Sequence, residues 1–133
     1  MLLANQYLAQ EVGRETTTRI LNVNWWSYSS DVCRDVFGED GGHAGNTETA
    51  YMLAIDPELV EKKRYTGPKM ATAIPAANTW SAYPFPSSIL LYKEGEGYPN
   101  FDLTKAKTYF KKVNDKVARL IEDTIEKWNM ADL

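Results

Sequence analysis

A regular stripe of apolar residues in the last third of the chain predicts one long helix there. The stripe begins just after Asp102, a good N-cap residue. Its members recur at steps of three and four residues and are Leu103, Ala106, Phe110, Val113, Val117, Leu120, Thr124 and Trp128. A helix over 102–129 with such a stripe must bury one face against another layer of structure. The pattern also fits a coiled-coil seam, but a long helix flanking a sheet is the commoner arrangement.

The first quarter of the chain predicts that sheet. Apolar residues recur at helical spacing up to Val12, and Gly13 follows as a C-terminal stop. Residues 16–26 (TTTRILNVNWW) are rich in β-branched and apolar side chains, which predicts a buried strand. A helix, a glycine and an apolar strand form the αβ step of a parallel sheet, so we expect an α/β fold.

Clusters of turn-forming residues predict two loops. Residues 27–45 are rich in Ser, Asp and Gly, which predicts a long loop after the strand, where α/β proteins bind ligands. Residues 66–88 combine prolines with aromatic residues, which predicts an ordered loop that packs on a neighbour or covers a site. A helix is predicted from Asn46, a helical turn at Pro57 and a short strand over 89–92.

The composition excludes several classes of protein. The 133 residues suffice for one domain, and their net charge of −3 gives no basic surplus for general nucleic-acid binding. No apolar run is long enough for a membrane span, and the N-terminus does not resemble a signal peptide. One cysteine, Cys33, excludes an internal disulfide and fits a reducing cytoplasm. One histidine, His43, excludes a zinc site built mainly from His and Cys within the chain.

The run GGHAGNTETAYML, residues 41–53, carries the candidate chemistry. His43 ends a glycine-rich loop just before a helix, and a neutral imidazole there can act as a general base. Glu48 can bind backbone donors of the first helical turn or turn back toward His43 and fix its tautomer. From the residues alone, a capping or surface role is the commoner one for a histidine such as His43, and a glutamate such as Glu48 is more often a partner of the helix dipole. Trp25 and Trp26 suit a ligand pocket or plain core packing.

The same run resembles the C-terminal signature of the creatininase (creatinine amidohydrolase) family. That signature reads G-H-A/G-G-x-x-E-T-S-x-M-L, followed by Pro-x-x-Val. This chain has Gly42, His43, Ala44, Gly45, Glu48, Thr49, Met52 and Leu53, then Pro57 and Val60. The resemblance covers roughly residues 1–65. It implies a three-layer α/β/α sandwich with a mainly parallel sheet, a metal-dependent hydrolase of C–N bonds in linear or cyclic amides, and a homohexameric assembly.

The resemblance also implies roles for particular residues. The family's histidine beside the scissile amide falls on His43 and its motif glutamate on Glu48. The substrate-contacting loop falls on Glu39 and Asp40, and the tryptophan that covers the substrate falls on Trp25 or Trp26.

The family's zinc or manganese ligands precede this region, in a Glu-x-His, an Asp and an Asn-Gly-His, and none of them falls on this chain. We therefore expect the C-terminal half of a metal-dependent amidohydrolase that acts on small amides, completed by an N-terminal half or a partner chain. The alternative is a non-catalytic partner subunit or fragment that keeps the fold and lacks the metal-binding half.

Overall fold

Five α-helices and two single 3₁₀ turns form the regular structure of the described residues. The computed structural model describes residues 2–39, 42–68 and 95–131. The helices are α1 (Leu2–Glu15), α2 (Trp25–Tyr28), α3 (Ser30–Phe37), α4 (Asn46–Ile55) and α5 (Leu103–Met130), and the 3₁₀ turns are Pro57–Leu59 and Lys62–Arg64. Within these ranges no helix is both long and apolar enough to cross a membrane.

The long C-terminal helix lies where the apolar stripe predicts it. The Asp102 carboxylate caps α5 by accepting hydrogen bonds from the N–H groups of Thr104 (2.8 Å) and Lys105 (3.0 Å). The first half of α5 buries Ala106, Tyr109 and Val113 completely. These residues pack against α3 and α4 rather than against a sheet.

The predicted α/β/α sandwich is wrong, because none of the described residues lies in a strand. Residues 16–24, read as a buried strand, are irregular, and Ile20 and Leu21 are 42% and 38% exposed. β-Branched residues form a strand only where a second strand takes up their backbone hydrogen bonds. The Asn24 side chain instead accepts from the N–H of Ser27 and starts α2, so Trp25 and Trp26 lie in a helical turn. The strand predicted over 89–92 lies outside the described residues.

The loop predicted over 27–45 contains a helix, α3. Its apolar residues Val32, Cys33, Val36 and Phe37 face the core. On another face, Asp31 and Asp35 pair with lysines of α5. A glycine in a left-handed conformation, Gly38 (φ 86°), ends the helix. Most of the predicted loop 66–88 lies outside the described residues.

Aromatic rings connect α2 to the buried face of α5. Tyr51 of α4 lies at the centre of this cluster, with its ring 4.3 Å from Trp25, 5.9 Å from Tyr109 and 5.0 Å from Phe110. Phe37 adds a further contact with Tyr109 at 5.5 Å. Ring pairs at these separations contribute beyond the area that they bury. The cluster therefore holds the short helix α2 against the core and fixes the position of Trp25.

Candidate functional site

A cavity of about 690 Å³ lies between α2, α3, the loop after α3 and the first turn of α4. Its wall contains five of the six residues to which the sequence assigned a role: Trp25, Trp26, Glu39, His43 and Glu48. The sixth, Asp40, lies outside the described residues. Three separate segments thus bring the predicted residues to one concave surface.

His43 and Glu48 face each other at the edge of α4. The imidazole Nδ1 lies 3.3 Å from Glu48 Oε1. The other carboxylate oxygen, Oε2, accepts a hydrogen bond of 3.1 Å from the N–H of Gly45 at the N-terminus of α4. The carboxylate therefore shares the N–H of Gly45 with the Gly42 carbonyl oxygen (3.1 Å), and it also favours the His43 tautomer that carries its proton on Nδ1. In that tautomer Nε2 has the lone pair that a proton acceptor needs.

The backbone around His43 is held by a second turn, residues 95–97. The N–H of Gly97 donates to the His43 carbonyl oxygen at 2.8 Å, and the Tyr65 hydroxyl donates to the Gly97 carbonyl oxygen at 2.9 Å. Gly42 has φ 69°, and a Cβ built on it would lie 2.7 Å from Glu96 Cα. Only glycine fits this position without a shift of the backbone, so steric exclusion explains why a glycine precedes His43.

The two tryptophans differ in exposure. Trp25 is partly buried against Tyr51, whereas Trp26 is 57% exposed. Their rings meet edge to face at 5.1 Å and 84°. The core thus supports Trp25, and Trp25 in turn supports Trp26 as a flat apolar surface on the cavity wall.

Glu39 is held through its backbone. Its carbonyl oxygen accepts from the buried Asn46 side chain at 2.9 Å and lies 3.6 Å from the Cys33 sulfur, a weak donor. This ties the end of the α3 loop to the first residue of α4. The Glu39 side chain is exposed on the cavity wall.

The comparison with known protein families shows to which family the chain is related. The family model described as Creatininase: Creatinine amidohydrolase matches residues 3–121. The chain belongs to the creatininase family. The resemblance of the glycine–histidine signature is thereby confirmed, and membership indicates activity of the amidohydrolase type. No curated protein and no solved structure matched the chain.

The creatininase signature does not bring a metal site with it in the described residues. Among residues 2–39, 42–68 and 95–131, no three His, Cys, Asp or Glu side chains lie close enough together to hold a metal ion. The His43–Glu48 pair alone is fewer than the three protein ligands typical of catalytic zinc sites. The residues that the structure describes therefore do not by themselves fit a resident metal ion.

Sequence reasoning missed the residues that α3 contributes to the cavity wall, Ser30, Cys33 and Arg34. Positions i, i+3 and i+4 share one face of a helix, so recognition of α3 would have grouped them. The available signals were Ser29 before the helix, Asp31 in its first turn and Gly38 after its end. Thr47, on the first turn of α4, was also missed.

Proposed function

We propose that this creatininase-family chain takes part in the metal-dependent hydrolysis of C–N bonds in small linear or cyclic amides. The observation that carries the proposal is the His43–Glu48 pair, 3.3 Å apart on the wall of a cavity that fits a small ligand. Both residues belong to the signature of the family. Hydrolysis of an amide requires a proton on the departing nitrogen, and a positioned imidazole supplies one at neutral pH.

In this proposal each cavity residue has a role that its position supports. Glu48 holds His43 in one tautomer and is itself held by the N–H of Gly45. His43 moves the proton to the leaving nitrogen. Trp25 and Trp26 cover the apolar part of the substrate and exclude water from it. Glu39, and Asp40 beside it in sequence, contact polar groups of the substrate.

The proposal assigns the divalent metal, zinc or manganese, to ligands outside this chain. Such an ion polarises a carbonyl and lowers the pKa of a bound water. The ligands would come from an N-terminal half or from a partner chain. This arrangement is supported by the lack of a three-ligand cluster among the described residues.

The same observation supports a second candidate function, a non-catalytic partner subunit. Such a subunit would keep the cavity and the histidine loop without taking part in turnover. The two candidates differ in what His43 does once a metal-bearing partner is present.

One experiment separates them. Amidase activity and metal content are measured for the chain alone, for a candidate N-terminal half with Glu-x-His and Asn-Gly-His motifs, and for the mixture. Activity in the mixture that falls in His43→Ala, at unchanged metal content, supports the hydrolase. Activity that His43→Ala leaves intact supports the non-catalytic subunit.

A further inference from the structure

Helix α3 carries three charged side chains, and its charges are divided between two faces. Asp31 and Asp35 contact Lys116 and Lys112 of α5, at 2.6 and 2.5 Å. Lys116 also lies over the Tyr28 ring, 4.7 Å from its centroid. The acidic face of α3 is therefore neutralised by the helix that it packs against.

Arg34, on the same helix, lies on the cavity wall. Its side chain forms no ion pair or hydrogen bond with any residue that the structure describes. A guanidinium has five N–H donors in a fixed fork that matches a carboxylate. Arg34 lies exposed in the last turn of α3, where the helix dipole favours a positive charge, so its donors are accessible to a ligand.

The other charges on the wall are acidic, and one of them is already engaged. Glu48 contacts His43 and Gly45 through its two oxygens. The exposed Glu39 carboxylate forms no ion pair with any residue that the structure describes, and it suits a donor group such as the N–H of an amide. The wall therefore offers an anion site at Arg34, a donor-binding site at Glu39 and an apolar surface at Trp26.

We propose that Arg34 is a specificity-determining residue, which selects amide substrates that carry a carboxylate. The inference rests on the proposed function, because it names the substrate class of the same cavity. The substrate's carboxylate pairs with the guanidinium, its apolar part lies against Trp26, and its amide faces His43. An amide of the same size without the anionic group leaves the five donors of Arg34 without a partner in the cavity.

The test measures binding, so its result does not depend on turnover. Benzoate and benzamide, which share a ring and differ in charge, are titrated into the full chain at low salt. The indole N–H signals of Trp25 and Trp26 are followed by NMR. We expect benzoate to bind about fivefold more tightly than benzamide, as one partly exposed charge-assisted contact allows. Added NaCl should weaken the binding of benzoate alone.

Two variants of Arg34 and a control variant with the same loss of charge show whether the preference depends on Arg34. Arg34→Gln should remove the preference for benzoate, and Arg34→Lys should keep part of it, because lysine retains the charge and loses the fork. Arg119→Gln on α5, away from this cavity, is the matched control and should leave the preference intact.

Equal binding of benzoate and benzamide to the unmodified chain would overturn the inference, as would a preference that survives Arg34→Gln. Absence of both ligands from the tryptophan site would also overturn it. A carboxylate preference without amidase activity in the reconstituted enzyme would leave Arg34 as a ligand-binding residue and refute the proposed hydrolase.

Discussion

Replacement of Gly42 by alanine tests whether the turn at 95–97 holds the His43 loop in place. The backbone of Gly42 is left-handed (φ 69°), which costs an L-residue about 1–2 kcal/mol. The added Cβ would also lie 2.7 Å from Glu96 Cα and from the Gly95 carbonyl oxygen, and overpacking of this kind costs about 1–3 kcal/mol. Gly42→Ala should therefore lower the free energy of unfolding by about 2–5 kcal/mol.

Gly38→Ala is the matched control. Gly38 also has a positive φ, 86°, but nothing lies within 4 Å of its added Cβ, so it should cost only the backbone term of about 1–2 kcal/mol. Both variants are compared by urea unfolding followed by tryptophan fluorescence. The chain has a single histidine, so the ¹⁵N signals of its imidazole report on the loop directly. They should shift in Gly42→Ala and stay in Gly38→Ala. Equal destabilisation of the two variants, with His43 unmoved in both, would refute the steric argument.

Three further predictions concern the site, a helix cap and an ion pair. In the reconstituted enzyme, His43→Ala should lower kcat by about 10²–10⁴-fold at unchanged metal content, and Glu48→Gln should cost less; steady-state kinetics and metal analysis check both. Asp102→Ala removes the cap of α5 and should lower the free energy of unfolding by about 1 kcal/mol in urea titrations. The hydrogen bond from Lys116 lowers the pKa of Asp31 below 3.8, so the pair stabilises the fold above that value and the effect is lost as the pH falls through the lowered pKa. Lys116→Met should raise the Asp31 pKa in a carboxyl NMR titration, and the part of its destabilisation that comes from the ion pair should shrink as the pH falls from 7 through the lowered pKa.

The helices that sequence reasoning predicted correctly have local start signals. Asp102 caps α5 through side-chain contacts two and three residues away, and Glu48 binds the first turn of α4 from within it. The strand predicted over 16–26 was wrong because strand formation depends on a partner strand, which a local pattern does not supply. Helix α3 was missed because its eight residues stand beside a glycine-rich segment, although Gly38 marks its end.

The site was predictable to the extent that its residues are close in sequence. His43 and Glu48 are five positions apart across a helix start, and their contact follows from that spacing. The approach of Trp25 and Trp26 to them depends on Tyr51, which holds α2 against the core from a later helix. Arg34 required knowledge of which face α3 buries. A signature motif thus identifies the residues of one segment, and packing decides which other segments complete the cavity.

Glu48 makes both of the contacts that its position in the sequence allows, one with the helix backbone and one with His43. A glutamate in the first turn of a helix is an ordinary partner of backbone N–H groups, and a glutamate beside a histidine is an ordinary orienting group. In the structure each carboxylate oxygen makes one of these contacts. Oε2 accepts a hydrogen bond from the N–H of Gly45, and Oε1 faces His43 Nδ1. The contact with Gly45 limits the orientations open to the carboxylate, so less conformational entropy would be lost in the proposed orienting of His43. The helix start therefore provides the support that the proposed proton transfer by His43, on a glycine-rich loop, would require.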